Sequence, residues 1–216
     1  MKYQAVFFDF DYTLGDATAS IYEGFVYAFG QMGYPRPGLE EVRRTVGYVL
    51  EDAFTLLTGE ADPARQAEFR HWFQEMVGET QAEKTVMLPG AEALLRALWD
   101  AGVKVGVVTS KRGATLRKIL TRYGLLEGMS YTVGGEAVGL PKPDPEGLNR
   151  GIAALGLAPA QVLYCGDTVI DAETARRAGV DFAAVLNGTT PAGDFTDYPS
   201  VHISPDLLDL RAWLGL

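Results

Sequence analysis

The chain has 216 residues, 47% of them hydrophobic and 22% charged, with a formal charge of −9. That balance supports a sizeable core and excludes a disordered chain, and the acidity argues against a surface for nucleic acid or anionic membranes. A single cysteine, Cys165, excludes an internal disulfide and any cysteine-based zinc cluster, and fits a reducing compartment.

The first residues reach acid by position 9, which does not fit a secretory signal, and no apolar run has the length of a membrane span. A soluble, cytoplasmic protein is expected. Residues 3–8 are apolar and rich in aromatic and β-branched types, which reads as a buried strand. It runs into two acids, Asp9 and Asp11. Side chains two apart on a strand share a side. The two carboxylates are therefore expected to converge where a cation or a shared proton relieves their repulsion.

Residues 16–84 read as helices only, at 21–32, 39–57 and 63–77, with breaks over residues 33–38 and 59–63. This segment holds 12 of the 28 acids and 6 of the 19 bases, so it carries most of the excess negative charge. It is expected to be a helical insertion placed directly after the first strand.

From residue 101 onward strand and helix alternate. Strands are expected at 103–108, 131–133, 161–165 and 181–186, and helices at 113–123, 145–155, 169–178 and 207–213. This alternation implies an α/β fold with a parallel sheet covered on both faces. Ligands of such sheets bind outside the carboxyl ends of the strands.

Three further strand ends are polar. Thr109 and Ser110 close one strand just before a helix, where hydroxyls and backbone N–H groups donate to phosphate or carboxylate oxygens; an ordinary helix cap explains them as well. Lys142 stands between prolines that restrict its loop, which suits a fixed positive charge for an anion, although a solvated loop lysine has the same appearance. Asp167 ends the strand before a helix, and Asp171 lies four residues later on the same face. A helix cap and a dipole contact account for each acid singly. They do not account for four acids gathered at strand ends, a set that suits a hard divalent cation such as Mg²⁺.

Taken together, DxDxT (Asp9, Asp11, Thr13), the apolar run ending in Thr109, KPxP at Lys142 and GDxxxD (Gly166, Asp167, Asp171) resemble the four motifs of the haloacid dehalogenase superfamily, in the same order. Tyr12 stands where many members have glycine. The resemblance implies a Rossmann-like core of residues 1–15 and 85–216 and a helical cap of residues 16–84, as in phosphoglycolate-phosphatase-like members. It implies a Mg²⁺-dependent phosphatase acting on a small phosphorylated metabolite, as monomer or homodimer. Asp9 would be the nucleophile and Asp11 the acid and base. Thr109, Ser110 and Lys142 would hold the phosphoryl group. Asp9, Asp167 and the backbone carbonyl of Asp11 would hold the metal, with Asp171 in support. In the cap, Arg43 or Arg44 is a candidate for a substrate carboxylate, against a solvated helix face opposite Glu40 and Glu41.

A phosphomutase of the β-phosphoglucomutase type shares these motifs and is the alternative, and a non-catalytic phosphate-binding protein on the same fold is a further one. His71 and His202 lie away from every motif, and Cys165 reads as core.

Overall fold

The structure, a computed structural model, describes residues 2–78 and 80–216. In chain order, β1 (Ala5–Phe8) and β2 (Gly15–Asp16) precede five helices: α1 (Thr18–Gln31), α2 (Leu39–Arg43), α3 (Leu50–Thr58), α4 (Pro63–Val77) and α5 (Gln81–Lys84). There follow β3 (Val86–Met87), α6 (Ala91–Asp100), β4 (Lys104–Val108), α7 (Gly113–Arg122), β5 (Met129–Val133) and α8 (Glu146–Ala154). The chain closes with β6 (Val162–Gly166), α9 (Val169–Ala178), β7 (Asp181–Val185), β8 (Ser200–Ser204) and α10 (Leu207–Trp213). Contacts divide it into two compact units, Met1–Gly15 with Met87–Leu216, and Asp16–Val86.

The first unit is built on a six-stranded sheet in the order β5-β4-β1-β6-β7-β8, and the strand pairs described are parallel. β1 and β6 are buried along their whole length, and β4 and β7 after their first residue. Near-continuous apolar runs of this kind belong to a sheet covered on both faces. Phe8 pairs with Val107 on one side and Cys165 on the other. The ends of β1, β4 and β6 are therefore level, and the polar residues that follow each strand emerge at one edge of the sheet.

The second unit is helical, with an interior made of aromatic rings. Phe54 stacks on Phe69 with centroids 5.0 Å apart, and Phe25 sits at the same distance from Phe69. Phe29 and Phe73 complete the buried cluster. Asp62 caps α4 by accepting the Ala64 N–H at 2.9 Å, with Pro63 in the first turn.

Four expectations need correction. The helix expected over 39–57 is two helices, because Gly47 sits at φ 106°, which does not continue a helix. α6 was not expected, although Ala91, Leu94, Leu95 and Leu98 fall at helical spacing and are buried. β8 was not expected either; as an edge strand it mixes exposed and half-buried residues and lacks an apolar run. The segment read as helices only also begins in a strand, since Asp16 belongs to the two-stranded ribbon of β2 and β3.

Candidate active site

The loop after β1 carries the first two acids. The Asp9 N–H donates to the Cys165 carbonyl at 2.9 Å, which extends the β1–β6 ladder and brings Asp9 level with the end of β6. The chain then turns sharply. Tyr12 holds φ 57°, and the Leu14 and Gly15 amides both donate to the Phe10 carbonyl, at 2.8 and 2.9 Å. Tyr12 is the single non-glycine residue at positive φ among the described residues. A left-handed backbone there explains why glycine suits this position, and a buried tyrosine holds it at some conformational cost. The same turn directs Thr13 inward, where its hydroxyl donates to Asp167 Oδ1 at 3.1 Å.

Asp9, Asp167 and Asp171 are buried and each offers an oxygen within 4.8 Å of the others. Lys142 binds two of them, with Nζ 2.9 Å from Asp9 Oδ1 and 2.7 Å from Asp171 Oδ1. Burial works against the lysine's charge, but Asp171 and Asp9 outweigh it and hold the ammonium well above its ordinary range. Burial pushes the Asp9 carboxyl up to about 6, Lys142 opposes that, and Asp171 adds to it. Asp167 is also raised, by burial first and then by Asp171 and Asp9. Both rises come first from burial, and the neighbouring carboxylates add to them.

Asp171 has a second task. Thr168, the residue before α9, donates its hydroxyl to Asp171 Oδ2 at 2.6 Å, and its amide donates to the same oxygen at 3.2 Å. Thr168 is therefore the cap, where Asp167 had been weighed for that part. Tyr164 lies beneath, its hydroxyl 3.0 Å from the Val108 carbonyl and 3.1 Å from Asp171 Oδ1, so it donates to one of them.

Asp11 has a lysine partner of its own. Its Oδ2 lies 3.0 Å from Lys111 Nζ, and the two side chains are 11% and 3% exposed. Each acid of the first motif thus has its own buried lysine, Lys142 for Asp9 and Lys111 for Asp11. Thr109 is buried at the end of β4, its hydroxyl accepting the Lys111 amide at 3.2 Å. Thr109, Ser110 and Lys142 line one small cavity together with Val108, Gly134 and Pro141.

Four buried carboxylates against two buried lysines leave an excess of negative charge made of oxygen donors. That donor set fits a hard divalent cation. The loop after β7 approaches Asp167 so closely that a Cβ on Gly188 would lie 2.0 Å from Asp167 Oδ2, so glycine is needed there to leave the carboxylate in place.

Arg43 and Arg44 belong to the helical unit. Arg43 pairs with Glu40 of its own helix at 2.9 Å, and Arg44 is exposed. Cys165 is buried and its thiol is pushed far up by burial, which removes it as a nucleophile. His71 pairs with Glu75 within α4, and His202 of β8 pairs with Asp209 of α10, neither involving a motif residue. Sequence reasoning missed Lys111, Tyr164 and Gly188. A lysine two residues past a polar strand end, and a phenol inside an apolar strand, were the available signals; nothing local marked Gly188.

A family model for haloacid dehalogenase-like hydrolases matches residues 6–185. The chain belongs to that family. It is similar to a phosphoglycolate phosphatase of Cereibacter sphaeroides, 36% identical over 187 residues, covering 85% of each chain. A phosphoglycolate phosphatase of Pseudomonas putida is 29% identical, covering 97% of this chain and 78% of its own. Among solved structures, a haloacid dehalogenase-like hydrolase from Bacteroides fragilis is 34% identical, with a TM-score of 0.94, covering 97% of this chain and all of that one. The chain is an enzyme, a phosphatase of this family with an α/β Rossmann-like core. No helix among the described residues is long and apolar enough to cross a membrane.

Proposed function

We propose that the chain hydrolyses a small phosphate monoester through an aspartyl-phosphate on Asp9, with Mg²⁺ as cofactor. The observation that carries this reading is the pairing of Lys142 with both Asp9 and Asp171 beside Asp167, a fixed buried cation next to an excess of buried carboxylate. An Asp9 oxygen forms the new bond to phosphorus while the ester P–O bond breaks. The electron pair goes to the leaving oxygen, which takes a proton from Asp11. In the second half a water oxygen attacks the same phosphorus and gives its proton to Asp11, and the bond to Asp9 breaks. Thr109, Ser110 and Lys142 donate to the phosphoryl oxygens. Asp9, Asp167 and the Asp11 carbonyl would hold the metal, with Asp171 in support; when bound, it neutralises charge on the transferring group.

The segment 16–84 is read as a cap that selects the substrate, and residues 1–15 and 85–216 as the catalytic core. A phosphoglycolate-like compound is the favoured substrate, since the named relatives are phosphoglycolate phosphatases. Arg43 and Arg44 are the candidates for its carboxylate. A reducing, cytoplasmic setting suits the single buried, unpaired cysteine.

The test is phosphate release from a panel of phosphorylated metabolites, with Mg²⁺, with chelator, and with the Asp9→Asn variant. Mg²⁺-dependent release that the variant loses is expected, with phosphoglycolate among the best compounds. No release from any compound would sink this reading and turn attention to sugar-phosphate mutase assays.

A further inference from the structure

Lys111 is among the least exposed charged side chains of the chain, and the four family motifs do not include it. A lysine is rarely buried without a partner, because desolvating its ammonium is costly. Its partner is Asp11 Oδ2, at 3.0 Å. The other oxygen, Asp11 Oδ1, is buried and has no hydrogen-bond partner among the described residues. A buried carboxylate oxygen without a protein donor is costly, so Oδ1 is the oxygen left to accept a donor from solvent or substrate.

Lys111 itself is held from several sides. Its amide donates to Thr109 Oγ1 at 3.2 Å, its carbonyl accepts the Gly135 N–H at 3.1 Å, and its ammonium lies 5.9 Å from the centre of the Phe10 ring. β1 and β4 are neighbours in the sheet, so the ion pair ties together the two loops that follow them. A buried pair of this kind contributes little net stability over an apolar pair of similar volume, so its presence points to a task other than holding the fold.

We propose that Lys111 is the positioning residue of Asp11, engaging Oδ2 so that Oδ1 alone exchanges the proton with the leaving oxygen and then with water. The proposal rests on the reading of Asp11 as proton donor and acceptor given above. Lys111 contacts neither Asp9 nor the phosphoryl group in this account, and acts through Asp11 only.

The experiment is rapid-mixing kinetics of the full chain with Mg²⁺ and 4-nitrophenyl phosphate, whose phenolate departs without needing a proton. The burst of nitrophenolate reads the first transfer, and steady-state turnover reads attack by water. Lys111→Met is expected to lower turnover about 10²-fold, in the range of general acid–base catalysis, while the burst rate stays within about threefold. Lys111→Arg restores most of the turnover. On an Asp11→Asn background the same change to Met alters turnover by less than about twofold, because the two residues act as one unit. That double variant also removes both charges, so it tests the idea even if the single change to Met unfolds the protein.

A burst that falls as far as turnover overturns the proposal and makes Lys111 a phosphate contact or a fold element. A rise in KM confined to carboxylate-bearing substrates overturns it in favour of a substrate contact. Losses that multiply in the double variant overturn it as well. If Asp11→Asn keeps the burst and loses turnover while Lys111→Met does neither, the proposal fails and the reaction assigned above stands. If the unchanged protein shows no burst and Asp9→Asn changes nothing, both fail.

Discussion

The two compact units bury opposite kinds of side chain. At the strand ends of the core, carboxylates and ammonium groups are buried together: Asp9, Asp167 and Asp171 with Lys142, and Asp11 with Lys111. Inside the helical unit the buried residues are mostly Phe rings and aliphatic chains, and its charges pair at the surface, as Arg65 with Glu68 and Arg70 with Glu51 do. Surface pairs of this sort contribute little, whereas buried charges are costly unless compensated. Stability and chemistry are thus separated in kind. The helical unit depends on apolar packing, and the core tolerates a strained polar edge because its sheet is buried on both faces.

The largest expected effect lies at that polar edge. Asp9→Asn keeps the shape of the side chain and removes the nucleophile, so phosphate release should fall on the order of 10⁴-fold or more. A loss below tenfold would place the nucleophile elsewhere. The matching disruption in the helical unit is Phe69→Ala. It leaves a void among Phe25, Phe29, Phe54 and Phe73 and should lower unfolding free energy by about 3–5 kcal/mol in denaturant titrations. A change under about 1 kcal/mol there would contradict the claim that aromatic packing holds this unit.

Gly188→Ala sharpens the comparison, because it adds one methyl group against the Asp167 carboxylate. Metal affinity should fall roughly 10–100-fold, read by calorimetric titration with Mg²⁺, as for other changes to residues that orient metal ligands. The pH dependence follows from Asp9. Its carboxyl is raised by burial from 3.8 to about 6, so the folded state holds the proton more tightly than the unfolded chain. For the metal-free protein, the Asp9 contribution therefore declines as pH rises from about 4 to about 6 and stays at its lower level above that. Mg²⁺ offsets the same uncompensated charge, so its stabilising shift in melting temperature should be larger at pH 8 than at pH 5. An equal shift at both pH values would break the link between the raised carboxyl and the metal. The smallest effect is expected at the surface. Arg70→Ala should change unfolding free energy by less than about 1 kcal/mol, because its pair with Glu51 is solvent-exposed.

Much of this was legible because the sheet strands announce themselves as apolar runs that stop at polar residues. Asp9, Thr109 and Asp167 were each found at such a stop, Lys142 between prolines in a loop, and Asp171 one helical turn past Asp167. What stayed hidden was pairing. That Asp11 meets Lys111 depends on the register of β1 against β4, which no local pattern encodes. Tyr164 reads as a core aromatic until its hydroxyl is seen against Asp171 and Val108. The break between α2 and α3 rested on one glycine, Gly47, whose neighbours keep helical spacing on either side. β8 was missed for a different reason: its apolar residues, Val201 and Ile203, are the exposed ones, and Ser200, His202 and Ser204 face inward, so its pattern does not read as a buried strand.

The most direct test of the central claim is to find where the phosphoryl group rests. Turnover on a phosphate monoester with Mg²⁺ would be quenched in acid, reduced with borohydride, and the peptides read by mass spectrometry. An aspartyl-phosphate on Asp9 predicts reduction of that residue to homoserine, at position 9 alone, and no such product in Asp9→Asn. A phosphoryl adduct on any other residue, or turnover with no trapped residue at all, would contradict the account.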